Sequence, residues 1–275
     1  MTVNLRNRLF GMIALAMAGI AALALINALN ARSDLLAEKK LKTRHLVEAA
    51  HGVLEYWHAR HQSGDTDEAS AQRAALESIR AMRYEGKEYF WINDFTTPIP
   101  KMVMHPAAPS LEGKSTDGEK YNRATSMQDG VSGPVVPLDG ERNIIVVFNE
   151  VANRAGHGYV TYGWPKPVTG GGTTKELYPK MSFVKKFEGW SWLIGSGIYI
   201  DDVDSAFRDK LLRGAMVGGG IMAILLFMSV WIARRITALD SRVRERTVEL
   251  EQANEDLRQM DRMKSDFLSS VSHEL

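Results

Sequence analysis

The residues Phe267-Leu-Ser-Ser-Val-Ser-His-Glu-Leu275 place a histidine directly before an acid. A neutral imidazole is a nucleophile when one ring nitrogen attacks and the other passes its proton to a neighbouring base. His273, followed by the acid Glu274, has the residue types of such a pair. Phosphoryl transfer demands little more of its acceptor, because catalysis there is mostly positioning and charge neutralisation. A solvated surface histidine has the same local sequence, and position alone does not separate the two. A second set of residues suits a ligand rather than a reaction. In an extended chain Tyr89 shares a face with Trp91, and Tyr162 with Trp164. Aromatic walls with a few convergent polar groups make a small-molecule site. For an anion the donors are His105, Lys166 and the tyrosine hydroxyls. The bland alternatives are core tryptophans, a solvated Lys166 beside Pro165, and a strand-end histidine before Pro106.

Other chemistries are poorly supported. The chain has no cysteine, which rules out disulfides, thiolate catalysis and cysteine-ligated zinc. His51, His58 and His61 recur on one expected helix, but no carboxylates converge on them, so no metal site is expected. A net charge of +1 gives no general case for nucleic acid.

The elements that must position these groups begin with two apolar runs. Leu9–Leu29 is 21 residues without a charge and Gly214–Ala233 is 20. About 20 residues at 1.5 Å each cross a bilayer. The first run exceeds the roughly 7–15 apolar residues of a signal peptide, so a retained anchor is expected. Gly218-Gly-Gly220 suits a membrane helix better than a soluble one. Gly214 with Gly218, and Ala14 with Ala18 and Ala22, have the spacing of closely packing spans. Arg6 and Arg8 before the first span, and Arg234, Arg235, Arg242 and Arg244 after the second, favour both ends inside. The basic residues flanking the middle segment do not prevent its export, since long domains cross largely regardless of charge. The expected division is 1–8 inside, 9–29 as first span, 30–210 as an exported domain, 211–233 as second span, and 234–275 inside.

Within the exported domain, three- and four-residue spacing predicts a helix from Asn30 to about His61. A second runs to about Met82, capped by Asp65 or Thr66. Strands are expected at Tyr89–Asn93, Lys101–His105, Gly158–Trp164, Pro179–Phe187 and Trp190–Ile200. Gly113–Pro137 reads as loop, and Ile144–Arg154 as a helix ended by Gly156. The fold class is therefore α+β, five antiparallel strands with helices on one face. From Ile236, nine of eleven heptad a/d positions are apolar (Arg246 and Lys264 are the exceptions), which predicts a parallel coiled coil over 234–260 and a homodimer. His273 falls at a c position, outside the seam.

Two stretches resemble known families. Arg262–Leu275 resembles the H-box of sensor histidine kinases, F-x-x-x-x-S-H-E-L followed by R-T-P-L, with the second half absent. Glu249–Leu257 is similar to the signalling helix that leads into it. The resemblance implies His273 as phosphoacceptor, Glu274 as its base, and 261–275 as the start of the dimerisation domain. ATP and magnesium would belong to a catalytic domain lying outside this sequence, so no cofactor is expected here, and a response regulator would be the downstream partner. The 39 residues separating Arg234 from His273 leave no room for a HAMP module, so transmission would be direct. Tyr89-Phe-Trp-Ile-Asn-Asp94, Met104-His-Pro106, Leu111-Glu-Gly-Lys114, Tyr162-Gly-Trp-Pro-Lys166 and Trp192–Asp202 resemble the extracytoplasmic single Cache domain, type 2. That implies a PAS-like antiparallel sheet on a long N-terminal helix, binding a small organic acid such as acetate, propionate or pyruvate. The family's hairpin glycine after Asp94 is missing, Thr96-Thr-Pro98 standing there. Together these imply a two-component sensor in a bacterial inner membrane. The alternatives are a chemoreceptor's ligand-binding region, or a membrane-bound binding module without catalysis.

Overall fold

The computed structural model describes residues 2–86, 88–168 and 172–274. They form two compact units, Asn30–Lys210 and a second made of Met1–Leu29 with Leu211–Leu275. The first unit contains one seven-stranded sheet of order β2-β1-β7-β6-β5-β3-β4. Its strands are β1 (Phe90–Asp94), β2 (Met102–Met104), β3 (Asn122–Asp129), β4 (Val135–Asn143), β5 (His157–Pro167), β6 (Thr173–Phe187) and β7 (Trp192–Tyr199). Every pairing is antiparallel.

Helix α1 (Thr2–Gln62) enters this unit and presents Val47, Ala50 and Leu54 to one face of the sheet. Helix α2 (Glu68–Ala81) adds Ala71, Ala75 and Ile79, a stripe at four-residue spacing. Both pack on Phe90, Ile92, Phe183 and Ile194. The α2 cap is Asp67, whose carboxylate accepts from the Ser70 amide at 2.9 Å, and not Asp65 or Thr66 as expected. The reason lies upstream: the Ser63 and Asp65 amides still bond to Ala59 and Arg60 carbonyls, so those residues belong to the end of α1.

Two other expectations are corrected. Helix α3 (Ile144–Ala155) lies on the opposite face, burying Ile144, Ile145, Val147, Phe148 and Val151, so helices cover both faces rather than one. Asn143 caps it by accepting from the Ile145 and Val146 amides, and Gly156 ends it with φ +75°. The segment read as loop, 113–137, contains β3 and the start of β4. These strands are polar and irregularly registered, and β4, at the sheet edge, is largely exposed and tolerates Pro137. Backbone pairing of β3 to β5, and of β4 to β3, holds them, and apolar alternation does not reveal that.

The β1–β2 connection forms without the expected glycine. The Asp94 carboxylate accepts from the Thr96 amide and hydroxyl and from the Lys101 amide, and Thr97–Pro98 is a cis peptide bond.

After β7, helix α4 (Ile200–Glu274) runs without interruption. In the second unit α1 and α4 each hold a stretch long and apolar enough to cross a membrane, almost wholly unburied. The heptad residues Leu239, Val243, Leu250, Leu257 and Met260 are exposed on the single chain. The backbones of His273 and Glu274 lie within α4; their side chains are outside the described residues.

Candidate functional site

Strand alternation sorts the sheet into two faces of different character. Phe90 and Ile92 join the apolar packing under α1 and α2, while Tyr89 and Trp91 face α3. On the α3 side β5 adds Tyr162 and Trp164, β6 adds Lys180 and Ser182, and β7 adds Tyr199. His105, just past β2, closes one wall, its ring centroid 4.9 Å from Tyr89 and 5.9 Å from Trp164. Phe148 lies 5.4 Å from Trp91 and 5.2 Å from Tyr162. Tyr89, Trp91, His105, Phe148, Tyr162 and Trp164, together with Met102, Ile144 and Ile145, line a void of about 10 Å³, room for roughly one water.

Five of the six residues expected to bind ligand line this void: Tyr89, Trp91, His105, Tyr162 and Trp164. Lys166 does not. Alternation puts it in step with Trp164, but the β5–β6 register shifts between Pro165 and Pro167, at the end of the strand. Its ammonium there donates to Asp201 Oδ2 at 2.5 Å and Asp202 Oδ1 at 2.6 Å, in the first turn of α4. Burial lowers the Lys166 pKa, but these two carboxylates outweigh it and the group is held above its ordinary value.

The buried cation beside the site is Lys180, 1% exposed, which is bonded to Tyr89 of the wall and is not itself in the lining. Among the described residues its ammonium makes no ion pair, and its hydrogen bond is to the Tyr89 hydroxyl at 3.3 Å. It lies over the rings of Tyr89, Tyr199 and Trp91, at 4.4, 4.9 and 5.6 Å from their centroids. Aromatic faces lower the cost of burying a cation but leave its hydrogen-bonding capacity largely unused. The signal available in sequence was the even-odd pattern of Lys180-Met-Ser-Phe183, with Phe183 fixing the opposite face.

The surroundings favour an anion. Burial, with the Lys180 charge second, pushes the His105 pKa down to about 3, so the imidazole is neutral and carries one N–H. Burial raises the pKa of the Tyr162 and Tyr199 hydroxyls far above the usual tyrosine range, keeping both as donors. Tyr162 bonds to Ser182 at 2.9 Å, and Tyr199 donates to the Pro165 carbonyl at 2.7 Å. Trp91 Nε1 and His105 Nδ1 are buried without a partner among the described residues. Two orphaned polar atoms beside one buried cation are what a bound, hydrogen-bonding anion would satisfy.

No group of three or more His, Asp or Glu side chains suited to a metal occurs among the described residues. His51 and His58 pack edge-on against Phe187, and His51 Nε2 lies 3.1 Å from the Lys186 carbonyl.

A sheet with helices on both faces, a small polar-aromatic void and two apolar helices fit a membrane-associated sensor domain. The chain belongs to the Cache domain family, whose dCache_2 model matches residues 21–214. Over 238 residues it is 34% identical to the methyl-accepting chemotaxis protein McpP of Pseudomonas putida, covering 86% of this chain and 39% of that protein. It is 26% identical over 142 residues to the sensor histidine kinase MctS of Rhizobium johnstonii, covering 52% of this chain and 25% of that one. The chain thus spans well under half the length of either relative. Among solved structures, a periplasmic sensor domain of a chemotaxis protein is 40% identical with a TM-score of 0.48, covering 60% of this chain and 96% of that one. A Cache chemosensory domain, described for its carboxylic acid recognition, is 34% identical with a TM-score of 0.47, covering 61% of this chain and 97% of that one.

Proposed function

We propose that residues 30–210 form a single Cache sensor module of the second type, exported across a bacterial inner membrane, and that its α3-side void binds a short monocarboxylate. Lys180 carries this reading: a buried ammonium without an ion pair among the described residues, bonded to the Tyr89 hydroxyl on the void wall. The ligand's carboxylate would accept from Tyr89, from Trp91 Nε1 and from Lys180 itself, and its short tail would meet Met102, Ile144 and Phe148. The void is smaller than an acetate ion, so entry requires a wall to move. Trp164, 8% exposed and stacked on Tyr121, is the outermost ring.

The test is a thermal melt of the whole chain in lipid nanodiscs with acetate, propionate or pyruvate, beside propionamide as the uncharged isostere. A ligand at about 100 times its Kd stabilises the folded state by about 2.7 kcal/mol, a rise of several degrees. A rise with a carboxylate and none with the amide is expected. No rise with any of the acids would sink the carboxylate reading.

The output we favour is control of a histidine kinase: ligand binding shifts α4, a homodimer forms through the heptad seam, and His273, with Glu274 as base, accepts phosphate for a response regulator. ATP and magnesium would be held by the catalytic domain. Incubation with labelled ATP and a separately supplied kinase catalytic domain should label His273, and a His273→Gln chain should stay unlabelled. The long match to a chemotaxis protein favours a second reading, the ligand-binding region of a chemoreceptor. No label on His273 in that assay would leave this second reading standing.

A further inference from the structure

Two lysines of the sheet meet on one tyrosine ring. Tyr199, the last residue of β7, pairs in register with Lys180 of β6 and directly precedes α4. Its ring lies 4.9 Å from the Lys180 ammonium and 5.1 Å from the Lys166 ammonium. Its hydroxyl donates to Pro165, the neighbour of Lys166. Lys166 in turn holds Asp201 and Asp202 at 2.5 and 2.6 Å. Acidic groups in a first turn are already favoured by the unpaired amides there. The second oxygen of Asp201 is buried with no partner among the described residues, which leaves Lys166 as that carboxylate's hydrogen-bonded counter-ion. Arg32 and Asp204 also bridge α1 to α4, but both partners of that pair are 40% exposed or more, whereas the Lys166 side chain is 13% exposed against carboxylates at 40% and 45%.

We propose that Lys166 is a positioning residue that latches the start of α4 to β5, and that Tyr199 couples this latch to the ligand cation Lys180. The coupling rests on the reading of Lys180 as the ligand's anchor; the latch does not. A carboxylate at Lys180 draws that ammonium off the Tyr199 ring. The ring then keeps its contact with Lys166 and its hydroxyl the bond to Pro165, and the strand end moves with the first turn of α4.

The absence of native cysteines allows paired spin labels at Ala69→Cys on α2 and Ala206→Cys on α4, both exposed positions, in the whole chain in nanodiscs. Label-to-label distances are read with and without propionate, and propionate affinity is measured calorimetrically on the same samples. In Lys166→Met the ligand-free distance distribution should broaden and the propionate-induced shift should fall to about half or less, with affinity within about threefold of the parent. Lys166→Arg should restore both distance readouts. An unbroadened Lys166→Met distribution overturns the latch whatever the pocket binds. A broadened distribution with an undiminished propionate shift overturns the coupling. Loss of affinity by about tenfold or more would make Lys166 a ligand contact instead. Should the parent bind none of propionate, acetate and pyruvate, the carboxylate reading fails, while the ligand-free distributions still decide the latch.

Discussion

Lys166 and Lys180 share a tyrosine ring and differ in nearly everything else. Lys166 is held by two carboxylates at the mouth of a helix; Lys180 sits 1% exposed among rings, with a hydroxyl in place of a counter-ion. A paired lysine has already obtained the stabilisation its charge offers, so it reports where two elements are joined. A buried lysine without an ion pair carries a desolvation cost that a ligand anion can relieve, so it reports where something binds. The more conspicuous of the two in sequence, beside Trp164-Pro165, is the one that two carboxylates hold.

The strongest way to break this contrast is to remove the Lys180 charge. Lys180→Met should weaken propionate binding by at least about 30-fold, because truncating one partner of a buried charged contact costs about 2 kcal/mol or more. Without ligand its melting temperature should hold or rise, since an apolar chain of similar volume replaces a buried charge. Calorimetry and a thermal melt read both. Lys166→Met should reverse the pattern, losing stability and keeping affinity. Unchanged binding in Lys180→Met would leave the two lysines equivalent.

A smaller effect separates the charged neighbour from the neutral one. His105 has a folded pKa of about 3 against an ordinary value near 6.5, so folding excludes a proton. Above about pH 6.5 the ring is neutral in both states and contributes no pH dependence. Below it the unfolded chain takes a proton that the folded chain refuses, and this group lowers stability by up to about 1.4 kcal/mol per pH unit as pH falls toward 3. His51, lowered by burial and then by the Lys185 charge, acts in the same direction. Urea unfolding at pH 7 and pH 5 should show the loss, and His105→Gln should reduce it. An undiminished slope in His105→Gln would place the acid sensitivity elsewhere.

How legible this was in sequence depended on periodicity. Tyr89 shares a face with Trp91, and Tyr162 with Trp164, because side chains alternate along a strand, and the pairings of β1 with β7 and of β5 with β6 are regular there. The same rule led to Lys166, which lies where the register shifts. Lys180 is hidden in the sequence because a strand lysine reads as solvated, and only the sheet's closure around Tyr89, Trp91 and Tyr199 buries it. Helix α3 was legible from its apolar run, Asn143 cap and Gly156, but not the face it covers, which depends on where β3 and β4 lie. Those two strands carry polar residues, glycine and proline, so local composition argues for loop and long-range backbone pairing decides otherwise.

The finest division of the contrast lies within Tyr199. Its ring face meets both ammoniums, while its hydroxyl donates to the Pro165 carbonyl. Tyr199→Phe keeps the face and removes the hydroxyl. One buried hydrogen bond should be lost, costing about 1 kcal/mol with the Pro165 carbonyl left unpaired. That is a fall of a few degrees in melting temperature, with propionate affinity within about twofold of the parent. Tyr199→Leu removes the face as well, and should further narrow the difference between Lys166→Met and its parent in the spin-label distances. Were Tyr199→Phe alone to abolish the ligand-driven shift, the hydroxyl bond to β5 would be the connection and the shared ring would be incidental.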